Sequence, residues 1–314
     1  MSEKSNIRRE GLYKVMDNNF RIIFEKPNFT ELNRQYTVVD MHFHSKCSDG
    51  KNTVKEIASH ARKLGIGIAV TDHNVIKTAV EIDKHKDVFS IPGIEITSKE
   101  GTHILVYFYD IESLERFYNF DVKPYKGSEV TSSTSLNMEE IVRRARAFDA
   151  LIIFPHPYCA AYTGIKNQFF SETRLLQLYD AVDGVEVINA GNLKRWNLKS
   201  TVLGFNLDKA MTGGSDGHTV KQMGRALTCA ECKKDRKEFL DTIKKKQNIV
   251  IGKEFDMFRK VASNGFKLKT SLKNYPDLVE KNIKYSYTVI NSKSKSLRDN
   301  VKRKINEKIR NHMM

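Results

Sequence analysis

The chain has 314 residues, 40% hydrophobic and 29% charged with six prolines, a balance that excludes fibrous and disordered classes and suffices for one large α/β domain with short extensions. No run approaches the roughly 20 apolar residues of a membrane-spanning helix, and the opening MSEKSNIRRE is too polar for a secretory signal, so a cytoplasmic protein is expected. The net charge is +15, concentrated in residues 257–314, where 15 Lys or Arg face 4 Asp or Glu; such a segment either binds a polyanion or forms a solvated lysine-rich helix.

Residues 1–36 read as an N-terminal extension and residues 257–314 as a basic C-terminal extension, leaving 37–256 as the main domain. From Tyr36 onward, β-branched runs alternate with stretches of helical period. The expected strands are 38–44, 67–73, 90–97, 102–108, 151–157, 184–189 and 209–216. Helices are expected at 53–65, capped by Thr53, at 137–149, opened by Asn137, near 194–205 and at 233–246. Helix after strand, repeated this way, favours a parallel sheet, and seven rounds favour a barrel over an open sheet. Residues 111–136 form a long connection of the kind that contributes lids and substrate contacts. The cysteines Cys47, Cys159, Cys229 and Cys232 are too scattered for a disulfide framework. The C-x-x-C at 229–232 has no second pair to complete a zinc site, so it reads as incidental.

The C-terminal ends of these strands collect a distinctive set of side chains. His42, His44 and Asp49 close the first, Asp72 and His73 the second, and Glu95 the third; later ends carry His156, Asp216 and His218, while His103 starts the fourth. In a parallel barrel those ends converge on one mouth. Imidazole and carboxylate together suit zinc, manganese or iron, whereas an all-oxygen set would suit magnesium or calcium. Residues two apart on a strand share a face, so His42 and His44 both reach inward with Phe43 turned outward. Asp72, beside His73, reads as a carboxylate that orients a histidine rather than as a ligand.

DMHFHSKCSDG (40–50), AVTDHN (69–74), PGIEIT (92–97), GTHILVYF (101–108), FPHP (154–157) and GGSDGH (213–218) resemble, in order, the motifs of the PHP (polymerase and histidinol phosphatase) superfamily. The resemblance covers roughly residues 36–250. It implies a distorted (β/α)7 barrel of PHP type holding up to three divalent metal ions. His42, His44, Glu95 and Asp216 are then ligands of one ion; Glu95 bridges to a second held by His103 and His156; Asp49, His73 and His218 hold a third. Asn189, Asn192, Lys194, Arg195 and Asn197 resemble a stretch that follows GVEVIN in PHP phosphoesterases, and Arg225 in GRALT matches the family pattern. Of these, Asn189, Asn192, Arg195 and Arg225 are the candidates for substrate binding, with helix capping and solvation as their other reading.

The implied activity is hydrolysis of a phosphoester by metal-activated water, with Asp72, His73 and His218 as candidate catalytic groups. The partner is a phosphorylated small molecule, such as a nucleotide or sugar phosphate, or an oligonucleotide, the latter helped by the basic C-terminal segment. Two rival readings are a nucleic-acid-binding or assembly module that uses the barrel as a scaffold, and hydrolysis of an amide bond.

Overall fold

The computed structural model describes residues 21–159, 163–166 and 170–255; the basic segment at 257–314 and the first 20 residues lie outside them. In chain order the strands are β1 (Ile22–Ile23), β2 (Thr37–Phe43), β3 (Gly67–Val70), β4 (Gly93–Thr97), β5 (His103–Phe108), β6 (Ala150–Phe154), β7 (Gly184–Asn189), β8 (Ala210–Gly214), β9 (Ala226–Ala230) and β10 (Ile249–Gly252). The α-helices are α1 (Phe29–Gln35), α2 (Val54–Leu64), α3 (Lys77–Asp83), α4 (Ile111–Phe117), α5 (Met138–Arg146), α6 (Glu172–Ala181), α7 (Lys194–Asn206) and α8 (Arg236–Lys244). The fold is mixed α/β. None of the helices in the described residues is long and apolar enough to cross a membrane.

Helix boundaries follow local chemistry. Thr53 and Asn137 each form a reciprocal capping box, with Glu56 and Glu140 three residues on. Gly65 ends α2 in the left-handed conformation at φ 70°, which costs a glycine little.

The hydrogen-bonded strands form two five-stranded sheets, ordered β1-β10-β9-β2-β3 and β4-β5-β6-β7-β8. Isolated parallel bridges join Phe43 to Gly217, Ile68 to Ser90 and His73 to Glu95. At the β2–β8 seam, a Cβ on Gly214 would stand 2.3 Å from that of His42, so only glycine permits this approach.

Two features depart from the sequence expectation. The sheet is not uniformly parallel, because β5 runs antiparallel to both β4 and β6. The β4–β5 link is the short turn 98–102, closed by Ser98 N–H to Thr102 O at 2.8 Å, and a parallel pair would need a crossover of a dozen residues or more. Beyond the seven expected strands, β9 adds antiparallel to β2, β10 antiparallel to β9, and β1 pairs with β10. The expected 233–246 helix, shortened to α8, therefore lies between β9 and β10.

The strands are buried on both faces. Val39, Met41, Leu105, Tyr107 and Ile153 pack in one layer; Phe43, turned away from His42 and His44, packs with Ile57, Ala58 and Ile68 beneath α2. The 111–136 connection contains α4, a π-helical turn and a 3-10 turn. Its far end folds back on the strand termini, where Thr134 N–H bonds Thr97 O at 2.9 Å and the Asn74 amide donates to Val130 and Ser132 carbonyls at 2.8 and 2.9 Å.

Candidate metal centre

The reversal of β5 brings His103 to the same end of the sheets as the other candidates. Its register partner is Thr97, two residues past Glu95, so the first residue of β5 lies beside the last of β4. Register shifts interrupt the β2–β3 pair between Asp40 and Phe43 and the β7–β8 pair between Glu186 and Ile188. Irregularities of this kind re-aim side chains beside functional sites.

Glu95, 1% exposed, is the hub. Its Oε2 stands 3.5, 3.4 and 3.1 Å from nitrogens of His42, His44 and His73. Its Oε1 stands 3.0 and 3.4 Å from His103 and His156. Among the described residues neither oxygen has a hydrogen-bond partner, and the Nδ1 atoms of His44, His73, His103 and His156 are likewise buried without one. His42 and His44 direct their Nε2 atoms at each other, 3.1 Å apart. Asp216 lies 3.1 Å from His44. Asp49 receives His218 Nε2 at 2.8 Å and lies 3.8 Å from His73.

Unpaired buried nitrogens and carboxylate oxygens facing a common point are costly without a cation between them. Four overlapping groups meet ligand spacing: His42–His44–Glu95, His44–Asp216–His218, His44–Asp49–His73 and His73–Glu95–His103. The donor set therefore fits divalent metal ions. Backbone strain points the same way, since His156 and Asp216 hold φ at 30° and 48°, a region non-glycine residues adopt at a cost.

The electrostatics follow from this crowding. Burial opposes the charged form of His42, but Glu186, Glu95 and Asp216 outweigh it and hold the imidazole well above its ordinary value. Burial likewise opposes ionisation of Glu95, yet His103, His73 and His42 hold it well below the usual carboxylate range. Asp49 and Asp216 are depressed against burial in the same manner, by His218 and His73 and by His42 and His44 respectively. Burial pushes His73 down to about 3, leaving it neutral and able to donate a lone pair.

Asp72 requires a correction. It orients none of the histidines: its carboxylate accepts from Ser45 N–H at 2.7 Å, Ser45 Oγ at 2.5 Å and Ser48 Oγ at 2.6 Å, and so braces the turn that carries Asp49. The carboxylate that does orient a ligand is Glu186, which the sequence reading missed. Its Oε1 bonds His42 Nδ1 at 3.0 Å, and its Oε2 accepts His156 N–H and the Asn189 amide at 2.9 and 2.8 Å. A charged residue inside the apolar run GVEVI was the available signal. Asp40 was missed too; it accepts from the backbone of His42, Ser215 and Gly224 at 3.4, 2.8 and 2.8 Å, tying β2 to the segment after β8.

The candidate substrate residues fall into two sets. Asn189 reaches the centre, donating to Asp216 Oδ2 at 3.3 Å. Asn192 donates to Tyr158 O at 2.6 Å, and Asn197 bonds both backbone groups of Asn189. Arg195 is exposed and stacks over Trp196 at 5.0 Å. Arg225 is half-buried, its carbonyl accepting from Lys253 N–H. In the C-x-x-C, Cys229 is buried in β9, Cys232 is partly buried after it, and both are free thiols.

A model of the PHP domain matches residues 40–195, and a PHP-associated model matches 194–248. The chain belongs to the PHP family. Among its relatives, the uncharacterized protein MJ1587 of Methanocaldococcus jannaschii is 31% identical over 166 residues, covering 48% of this chain and 81% of its own. The lesion-specific endonuclease PfuEndoQ of Pyrococcus furiosus superposes with a TM-score of 0.56 at 21% identity, over 69% of this chain and 58% of that one. A two-domain Bacteroides vulgatus protein containing a predicted PHP-like metal-dependent phosphoesterase superposes at 0.52 with 18% identity, over 75% of this chain and 70% of that one. At these identities the two structures speak to the fold.

Proposed function

We propose that this PHP protein is a hydrolase of phosphoric esters, working with up to three divalent ions of zinc, manganese or iron in a distorted seven-stranded barrel made by β2 to β8. The observation that carries the reading is Glu95, whose two buried oxygens lack hydrogen bonds and are ringed by five imidazoles. His42, His44, Glu95 and Asp216 would hold one ion, Glu95 with His103 and His156 a second, and Asp49 with His73 and His218 a third. When bound, such ions generate a nucleophile from water near neutral pH and neutralise charge developing on phosphoryl oxygens.

The chain's own residues do the rest. Glu186 fixes the His42 ring through Nδ1, so that Nε2 faces Glu95. Asp216 O accepts from His218 Nδ1 at 2.9 Å, which directs Nε2 to Asp49. His218, partly exposed at the mouth, is the group placed to pass a proton to a leaving oxygen, whereas His73 is buried and neutral, which suits a ligand. Asp72 acts at one remove, by holding the turn that presents Asp49. The PHP-like phosphoesterase and endonuclease folds among the similar structures support this chemistry.

The test is elemental analysis of purified protein, followed by assays with added manganese, zinc or iron on mononucleotides, sugar phosphates, bis(p-nitrophenyl) phosphate and short oligonucleotides. Bound metal and turnover of at least one ester are expected. Metal-free protein with no activity under every condition would overturn the reading and favour a scaffold role.

A further inference from the structure

Charge is divided between the two ends of the strands. Connections at the end that carries the imidazoles hold exposed Lys46, Lys51, Lys77, Lys99, Lys194 and Arg195. Of the acids near them, Asp49 and Asp216 lie in the candidate metal centre, Asp72 is bound within the Ser45–Ser48 turn, and Glu100 pairs with Arg174; exposed Glu129 and half-buried Glu254, which accepts from Asn197 at 3.1 Å, stand against them. The opposite end exposes Asp87, Asp110, Asp149, Asp208, Glu231 and Asp235. Several lysines there pair with these acids, as in Lys244 with Asp149 at 2.7 Å and Lys246 with Asp208 at 2.6 Å, so the two signs are mixed at that end. A rim of one sign around a cleft concentrates ligands of the other sign.

One stretch of this rim adds aromatic surface. Tyr158 lies two residues beyond His156, and Trp196 lies in the first turn of α7. Each is partly exposed and carries a cation: Lys199 Nζ stands 5.8 Å from the Tyr158 ring, and the Arg195 guanidinium 5.0 Å from the Trp196 ring. The shelf is fastened to the centre, because Asn192 bonds Tyr158 O and Asn197 holds Asn189, which reaches Asp216. Beside the centre the β7–α7 loop places Gly191, where an added Cβ would come within 3.0 Å of Asn189 Oδ1 and 3.4 Å of Asp216 Oδ2.

We infer that the substrate is a nucleic-acid strand, laid across this rim with a base stacked on Tyr158 or Trp196 and the neighbouring phosphate delivered to the Glu95 centre. The inference rests on the phosphoester reading and narrows it. A single phosphate engages one or two loops, whereas these cations lie on separate loops at successive strand ends, which suits a polyanion. Partly exposed rings flanked by Lys and Arg are what sequence-tolerant strand binding uses. In the reaction a water oxygen bonds to phosphorus, the ester P–O bond to one nucleotide breaks, and a proton from water ends on the leaving oxygen.

The test is fluorescence anisotropy of a 5′-labelled dT20 strand with the full chain, across a salt series. The rim variant Lys194→Ala/Arg195→Ala/Lys199→Ala should bind at least tenfold more weakly. Its log–log salt slope should fall by about 2, since each phosphate contact contributes roughly 0.7 on single strands. Tyr158→Ala/Trp196→Ala should weaken binding about tenfold with the slope kept. Lys86→Ala/Lys233→Ala/Lys234→Ala removes the same charge from the opposite end and should leave affinity within about twofold. Equal losses in the two charge variants, or no loss in either, would overturn the inference. Wild-type protein that hydrolyses bis(p-nitrophenyl) phosphate but neither binds nor cuts dT20 would overturn it too, with the phosphoester reading intact. Strand binding without hydrolysis of any ester would instead sink the phosphoester reading and the delivery step with it.

Discussion

Glu95 and Glu186 are both buried glutamates within reach of His42, yet they differ in what faces them. Glu186 is fully hydrogen-bonded to protein, through His42, His156 and Asn189, whereas Glu95 meets only imidazoles. Glu95→Gln should therefore abolish high-affinity metal binding and lower turnover by at least 10³-fold, read by elemental analysis and initial rates. Glu186→Gln should retain metal with about 10- to 100-fold lower affinity, the range for groups that orient a ligand. Asp72→Asn should cost less than either, because its contacts end at Ser45 and Ser48.

Protonation makes a second prediction at the same scale. In metal-free protein, carboxylates overcome burial to hold His42 well above its ordinary 6.5. A histidine with a raised folded-state pKa lends stability below its unfolded value and loses it as pH rises through the folded one. This share of metal-free stability should therefore decline above about pH 6.5. Metal needs the unprotonated ring, so binding should release protons and tighten over the same range. Calorimetric titration in buffers of different ionisation enthalpy measures the protons directly; a signal independent of buffer would refute it.

Among the elements, β2 bears the most. It pairs with β3 and β9 and meets β8 at the Gly214 contact, and it ends in both His42 and His44. Asp40 fixes its height against the segment after β8 through the backbone N–H groups of Ser215 and Gly224, and accepts from His42 N–H within the strand. Asp40→Ala strands those buried donors, and each unsatisfied one costs about 1–3 kcal/mol. A loss of about 3 kcal/mol is expected, seen as a lower urea midpoint. Metal affinity should fall with it, because the same bonds set the position of His42. Gly214→Ala should be at least as damaging, since the added carbon overlaps the His42 Cβ position.

For the molecule as a whole, metal binding is expected to stabilise the fold. The candidate ligands come from β2, β4, β5, the ends of β3, β6 and β8, and the turn at Asp49, so an ion bound among them would hold both sheets together. Ions at 100 times their dissociation constant add about 2.7 kcal/mol to stability. Chelation at pH 7 should lower the melting temperature by several degrees, and re-addition of metal should restore it. No shift on chelation would mean that the cluster does not bind metal in solution.

Much of this was legible in the chain before folding. Strand-and-helix alternation followed from β-branched runs between capping boxes at Thr53 and Asn137, since these signals are local. The ordered motifs from DMHFHSKCSDG to GGSDGH marked the imidazoles and carboxylates that cluster around Glu95, because their residue types and strand-end positions are written in sequence. Tertiary structure decided what depends on direction and distance. The reversal of β5, forced by a five-residue turn, places His103 beside Glu95 and not at the far end. The carboxylate partner of His42 proved to be Glu186, 144 residues away, while Asp72, adjacent in sequence to His73, turned to Ser45 and Ser48. Spacing along a chain fixes which face a side chain takes; which distant group it meets is fixed by strand order and register.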